Sequence, residues 1–144
     1  MRFIIIPRPD PSAAKTGPEE PHDEKVFAAY MKFNEDMHKA GVLIAAEGLN
    51  PVAPGALVTT ARGKRTVVDG PFTESKELIG GFYLLEVPSR EEAIAWALRS
   101  PLGLGGDEVL EIHQMTELSD LPPRYREIIA EVAPTWSAFL TRGR

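Results

Sequence analysis

The sequence predicts an α+β domain of order β-α-β-β-α-β, and three observations carry that prediction. An apolar stripe at helical spacing marks one helix, and a Ser-x-x-Glu spacing opens a second. Four short runs rich in β-branched and aromatic side chains, each punctuated by Gly or Pro, supply the principal strands. The 144 residues suffice for one hydrophobic core and fall short of two ordinary domains.

Taken in order, Arg2 to Ile6 reads as the first strand, ended by Pro7. Residues 8–21 hold four prolines with no periodicity and read as a loop. Val26, Tyr30, Phe33, Met37 and Ala40 then recur at intervals of 4, 3, 4 and 3, which places them on one helical stripe. Acidic residues (Glu19, Glu20, Asp23, Glu24) precede that helix, while His38 and Lys39 close it before Gly41, the polarity favoured by the helix dipole and a glycine stop. Val42 to Ala46 is the second strand. Leu57 to Ala61 and Lys64 to Val68, separated by Arg62 and Gly63, form a small hairpin.

Gly81 to Val87 is the next principal strand, and Ser89 with Glu92 caps a helix running to about Arg99, before Pro101. Ala93, Ile94, Ala97 and Leu98 are its expected apolar face. Val109 to Met115 is the last strand. Pro122 and Pro123 open a terminal segment whose Tyr125, Ile128, Ile129 and Val132 have helical spacing, followed by Pro134 and a tail with Trp136 and Phe139. Without the hairpin and the tail, this is the ferredoxin-like pattern, with both helices on one face of an antiparallel sheet. The strands nonetheless offer apolar side chains to both faces, as in Phe3 to Ile6 and Phe82 to Leu85. A second copy of the sheet is the expected cover, making the chain a homodimer; the alternative is the segment from Pro122 to Leu140 folding back.

Composition narrows the function classes. Apolar content of 43% and charged content of 26% are those of an ordinary folded protein. A net charge of -5 without any Lys/Arg block argues against nucleic acid as a partner. No cysteine is present, so thiolate chemistry and disulfides are excluded, which fits a cytoplasmic setting. Phe3 to Ile6 is too short for an export signal, and no longer apolar run suggests a membrane span. His22, His38 and His113 lack His-x-x-x-His spacing, and no nucleotide-binding fingerprint appears, so neither metal nor other cofactor is expected.

The run Val67-Val68-Asp69-Gly70-Pro71-Phe72-Thr73-Glu74-Ser75-Lys76-Glu77, with Gly80-Gly81-Phe82-Tyr83 after it, resembles the DGPF-domain branch of the YCII-related proteins. Ala40-Gly41-Val42-Leu43, Glu47-Gly48-Leu49 and Glu92 to Ala97 extend the likeness over most of residues 1–115. The resemblance implies a dimeric α/β barrel with a cleft between sheet and helices. It divides the chain into a domain at residues 1–118 and a helical extension at residues 119–144. Two positions depart from the family pattern. Tyr30 stands where relatives carry a histidine on the first helix, and His113-Gln114 replaces an arginine followed by proline on the last strand.

Asp69, Gly70 and Pro71 make a rigid corner: glycine opens backbone angles, proline fixes the next φ, and the aspartate can cap nearby amides. The same corner can hold Asp69 at a cleft mouth as a general base. Glu47, after the second strand, and His113, opposite in facing to Leu110 and Ile112, are the other catalytic candidates. Arg65 and Lys76 are candidates for binding an anionic substrate group, with Tyr30 as a further substrate contact. Three functions follow: a cofactor-independent small-molecule enzyme with Asp69 as acid or base, a non-catalytic ligand-binding or accessory module, or a dimer that has no ligand and only scaffolds.

Overall fold

The computed structural model describes residues 1–9, 24–50, 55–70, 80–101 and 108–142. Among the described residues six strands and four α-helices follow in the order β1 (Arg2–Pro9), α1 (Glu24–Lys39), β2 (Leu43–Gly48), β3 (Ala56–Ala61), β4 (Lys64–Asp69), β5 (Gly81–Glu86), α2 (Arg90–Leu98), β6 (Glu108–Gln114), α3 (Pro123–Val132) and α4 (Pro134–Thr141). Four strands form one antiparallel sheet in the order β2-β5-β1-β6, the ferredoxin-like arrangement, and β3-β4 stands as a separate two-stranded ribbon.

Strand β1 continues past Pro7, where the sequence suggested a stop. Its pairs with β5 end at Ile5, whereas its pairs with β6 run on to Pro9. Among the described residues one side of the strand has no ladder partner beyond Ile5, and proline is tolerated at such an edge. The register also sorts the side chains. Phe3 and Ile5 of β1 lie opposite Leu85 and Tyr83 of β5 and share the helix-facing side with Ile112 of β6.

On that side Phe3, Ile5, Leu85 and Val87 meet Phe33 and Met37 of α1 and Ala93 and Ala97 of α2 in the buried core. Met37, with no exposed surface, contributes about 2–3 kcal/mol by its burial. Helix α1 ends as its composition suggests. Gly41 takes φ +71°, its N–H donates to His38 O at 2.9 Å, and Val42 N–H reaches back to Met37 O at 3.1 Å. These two bonds satisfy carbonyls that the last helical turn leaves open.

Helix α2 starts at the expected cap, where Ser89 Oγ accepts from Glu92 N–H at 3.2 Å. Its apolar face differs from expectation in one residue: Leu98 is 80% exposed. The helix is nine residues long and ends at Leu98, which lies off the face that Ala93 and Ala97 bury in the core. Trp96 packs instead, 6.5 Å from the Phe33 ring, with the Arg99 guanidinium 4.0 Å from its own ring centroid.

The C-terminal segment holds two helices rather than one helix and a tail. Pro134 occupies the first turn of α4, where a missing N–H costs nothing, and Trp136 stacks on Phe139 at 5.2 Å. Arg2 ties this end to the sheet. Its Nε and Nη2 bond the Glu117 carboxylate at 2.9 and 3.2 Å, and Nη2 also donates to Thr116 O. A groove of about 440 Å³ lies there, between Arg2 and Glu86 on one side and Ile129, Trp136 and Leu140 on the other. Ile4, Ile6 and Leu84 alternate to the face away from α1 and α2 and are half-buried.

Candidate functional site

A cleft of about 300 Å³ opens between α1 and the corner where β2 meets β5, with Tyr30, Asn34, Glu47, Gly81, Phe82 and Tyr83 in its wall. Its shape follows from local sequence. Tyr30 and Asn34 are four residues apart on α1, so they project from one helical face. Phe33, on the adjoining stripe, meets Tyr83 edge to face, with ring centroids 5.7 Å apart and planes at 79°. That contact fixes the spacing between helix and sheet behind the cleft.

The floor depends on glycine. Gly48 of β2 faces Gly81 of β5, and a Cβ on Gly81 would stand 2.5 Å from Glu47 O and 3.3 Å from Gly48 Cα. Only an absent side chain permits so close an approach. Leu49 N–H then donates to Gly80 O at 2.9 Å, closing the corner. Glu47 is thus held by its backbone at the cleft edge while its side chain remains exposed. Deeper in, Asn34 Oδ1 is buried without a hydrogen-bond partner. Such an acceptor carries the desolvation cost of an unmade bond and favours a ligand that can donate to it.

Two of the residues singled out from the sequence, Tyr30 and Glu47, therefore border one cleft, but Glu47 pairs with Phe82, one position on from the Ala46-Tyr83 pair of the helix-facing side, so its side chain projects to the face away from α1. The others are placed elsewhere. Asp69 is exposed at the end of β4, opposite Ala56, where Gly70 N–H donates to Gly55 O at 2.7 Å. Arg65 is exposed on the same strand, opposite Thr60. Lys76 lies outside the described residues, as does the signature from Pro71 onward. His113 pairs with Ile4 across β1-β6 and so projects from the face away from α1. Its Nε2 is 3.2 Å from Glu111 Oε2, and Arg8 Nε stands 2.8 Å from Glu111 Oε1 without hydrogen-bond alignment.

Sequence reasoning passed over Asn34 and Tyr83. The signal for Asn34 was its place one turn after Tyr30; Tyr83 was hidden inside an apolar run. Among the described residues no group of three His, Cys, Asp or Glu side chains is arranged to hold a metal ion, and no helix is long and apolar enough to cross a membrane.

Comparison with known proteins decides the lineage. The model of the YCII-related domain matches residues 1–116. The chain belongs to the YCII-related family. Within reach of this YCII-related chain is the uncharacterised protein R00369 of Rhizobium meliloti (strain 1021), 31% identical over 97 residues, which span 67% of this chain and 77% of that protein. Among solved structures it is similar to 5-chloro-2-hydroxyhydroquinone dehydrochlorinase (TftG) from Burkholderia phenoliruptrix AC1100, in complex with 2,5-dihydroxybenzoquinone. That match has 14% identity and a TM-score of 0.42, over 85% of this chain and all of the other. The YCII-related match ends at Thr116, one residue before Glu117 receives Arg2.

Proposed function

We propose that this YCII-related protein binds a small polar molecule in the α1 cleft and acts on it by cofactor-independent proton transfer. The observation that carries the reading is the convergence of Tyr30, Asn34 and Tyr83 on one concavity with a buried, unpartnered amide oxygen and with Glu47 at its rim. Aromatic walls with a few placed polar groups are the usual make-up of a ligand pocket. A carboxylate at the rim supplies an acid or base. Glu47, at the rim, is the first carboxylate to be tested for that role, Tyr30 and Asn34 orient the ligand, and Asp69 of the hairpin is the second. Residues 1–118 form the functional unit, and residues 119–144 extend it.

The working form we propose is a homodimer. Ile4, Ile6 and Leu84 are apolar, lie on the sheet face away from both helices, and are only half-buried within one chain, which suits a second copy as cover. A second reading, ligand binding without catalysis, is favoured by one observation: Glu47 is the single carboxylate in the described wall of the cleft.

A thermal-shift screen against a metabolite library tests both readings, followed by Glu47→Gln, Tyr30→Phe and Asp69→Asn on any ligand found. Retained binding with turnover abolished in Glu47→Gln supports the enzyme. Binding without turnover in the wild type supports the module, and a ligand that protects Tyr30→Phe and Glu47→Gln as well as wild type places the site elsewhere.

A further inference from the structure

The β3-β4 ribbon is dressed for a partner. All twelve of its strand residues are exposed, and they include four large aliphatics. Leu57 is 50% exposed, Val58 67%, Val67 64% and Val68 47%. The register puts Leu57 opposite Val68 and Val58 opposite Val67, so successive pairs point to opposite faces and each face carries one aliphatic pair. A single two-stranded hairpin is marginal in water without something packed on it. Its turn is well formed nonetheless, with Arg62 at φ 52° and Gly63 at φ 75°, both positive as the two-residue hairpin turn requires.

Charge identifies the occupant. The ribbon carries Arg62, Lys64 and Arg65 against one acid, Asp69, a surplus of +2. With the whole chain at -5, the remainder stands at -7. Two such bodies repel each other, and the cationic arm of each is the segment best suited to offset that repulsion. At about 3.4 Å per residue, a six-residue strand reaches roughly 20 Å from its base. We infer that the β3-β4 hairpin is a dimerisation arm, which lays its aliphatic pairs and basic tip on the acidic body of a second copy of this chain. In a two-fold pair the exchange is reciprocal, each arm covered by the other body. This inference rests on the homodimer proposed above and adds the element that secures it.

The test is sedimentation equilibrium on the wild type, a Val58→Asp/Val67→Asp variant and a Lys64→Glu/Arg65→Glu variant, with circular dichroism to confirm that each is folded. A wild-type dimer whose dissociation constant rises about a hundredfold or more in the aspartate variant, and by a smaller factor in the charge reversal, supports the arm. Dissociation of the wild type should also strengthen with added salt; that measurement stands alone if a variant fails to fold. A dimer indifferent to both substitutions and to salt overturns the arm and leaves the dimer standing. A wild-type monomer at micromolar concentration overturns both. So does a monomer whose melting temperature falls with the substitutions, since the arm then packs on its own chain.

Discussion

Gly81 is the most exacting position in the cleft, and Gly81→Ala probes the floor directly. The added methyl would enter a space where Glu47 O stands 2.5 Å away and Gly48 Cα 3.3 Å. Both are backbone atoms in a paired strand, so neither can turn aside as a side-chain tip would. Strand β2 must retreat from β5, stretching the 2.9 Å bond from Leu49 N–H to Gly80 O and moving Glu47 with it. Overpacking of this kind costs about 1–3 kcal/mol. For a chain of this size that is a fall in melting temperature of about 3–10 °C. Gly80→Ala is the matched control, because nothing lies within 4 Å of a Cβ there. Thermal unfolding followed by far-UV circular dichroism reads both. If Gly81→Ala melts within about 1 °C of wild type, or Gly80→Ala falls equally far, the close approach does not hold the floor.

Two further outcomes are expected. Arg2→Ala removes a guanidinium from a position 8% exposed that holds Glu117 and Thr116 together. It should lower stability by about 1–3 kcal/mol and raise amide exchange in residues 117–142; exchange unchanged there would show that the terminal helices dock without the tie. On α1, the hydrogen bond from Lys39 holds Glu35 below its ordinary value, and that from Lys32 holds Asp36 low. The bond to Glu35 raises Lys39. The carboxylate contributions are present above about pH 4 and lost as pH falls through the depressed folded values; that of Lys39 is present below about pH 10.4 and lost as pH rises through its raised value. These three groups therefore add no pH dependence between those limits, and Asp36→Asn should flatten part of the acid limb. An acid limb identical in Asp36→Asn would remove that pair from the account.

Much of the fold was legible because its determinants are local. The stripe from Val26 to Met37, the stop at Gly41, the cap at Ser89 and the turn at Arg62-Gly63 each depend on a few neighbouring residues, and each is realised. What escaped depends on distant partners. The register shift between Leu43 and Ala45 in β2 answers to β5, and the exposure of Leu98 answers to which face of α2 meets the core. The candidate site divides in the same way. Tyr30 and Glu47 stood out singly, but their sharing of one cleft is a property of the β2-β5 corner. Asn34 acquires meaning only from its buried oxygen. Asp69, prominent in the sequence beside Gly70 and Pro71, stands at the base of the hairpin with its side chain in solvent.

The strand order has a consequence for how the chain is made. Strand β1 occupies the interior of the sheet, yet it is synthesised first, and its partners are Tyr83 to Glu86 and Glu108 to Gln114. While a ribosome is still translating, α1 and the β3-β4 hairpin can form from what has emerged, but Phe3 to Ile6 has no strand to join. This aliphatic run must wait, unpaired, for most of the protein to follow it. The interval before β5 appears is when this aliphatic run is most open to sticking to its neighbours.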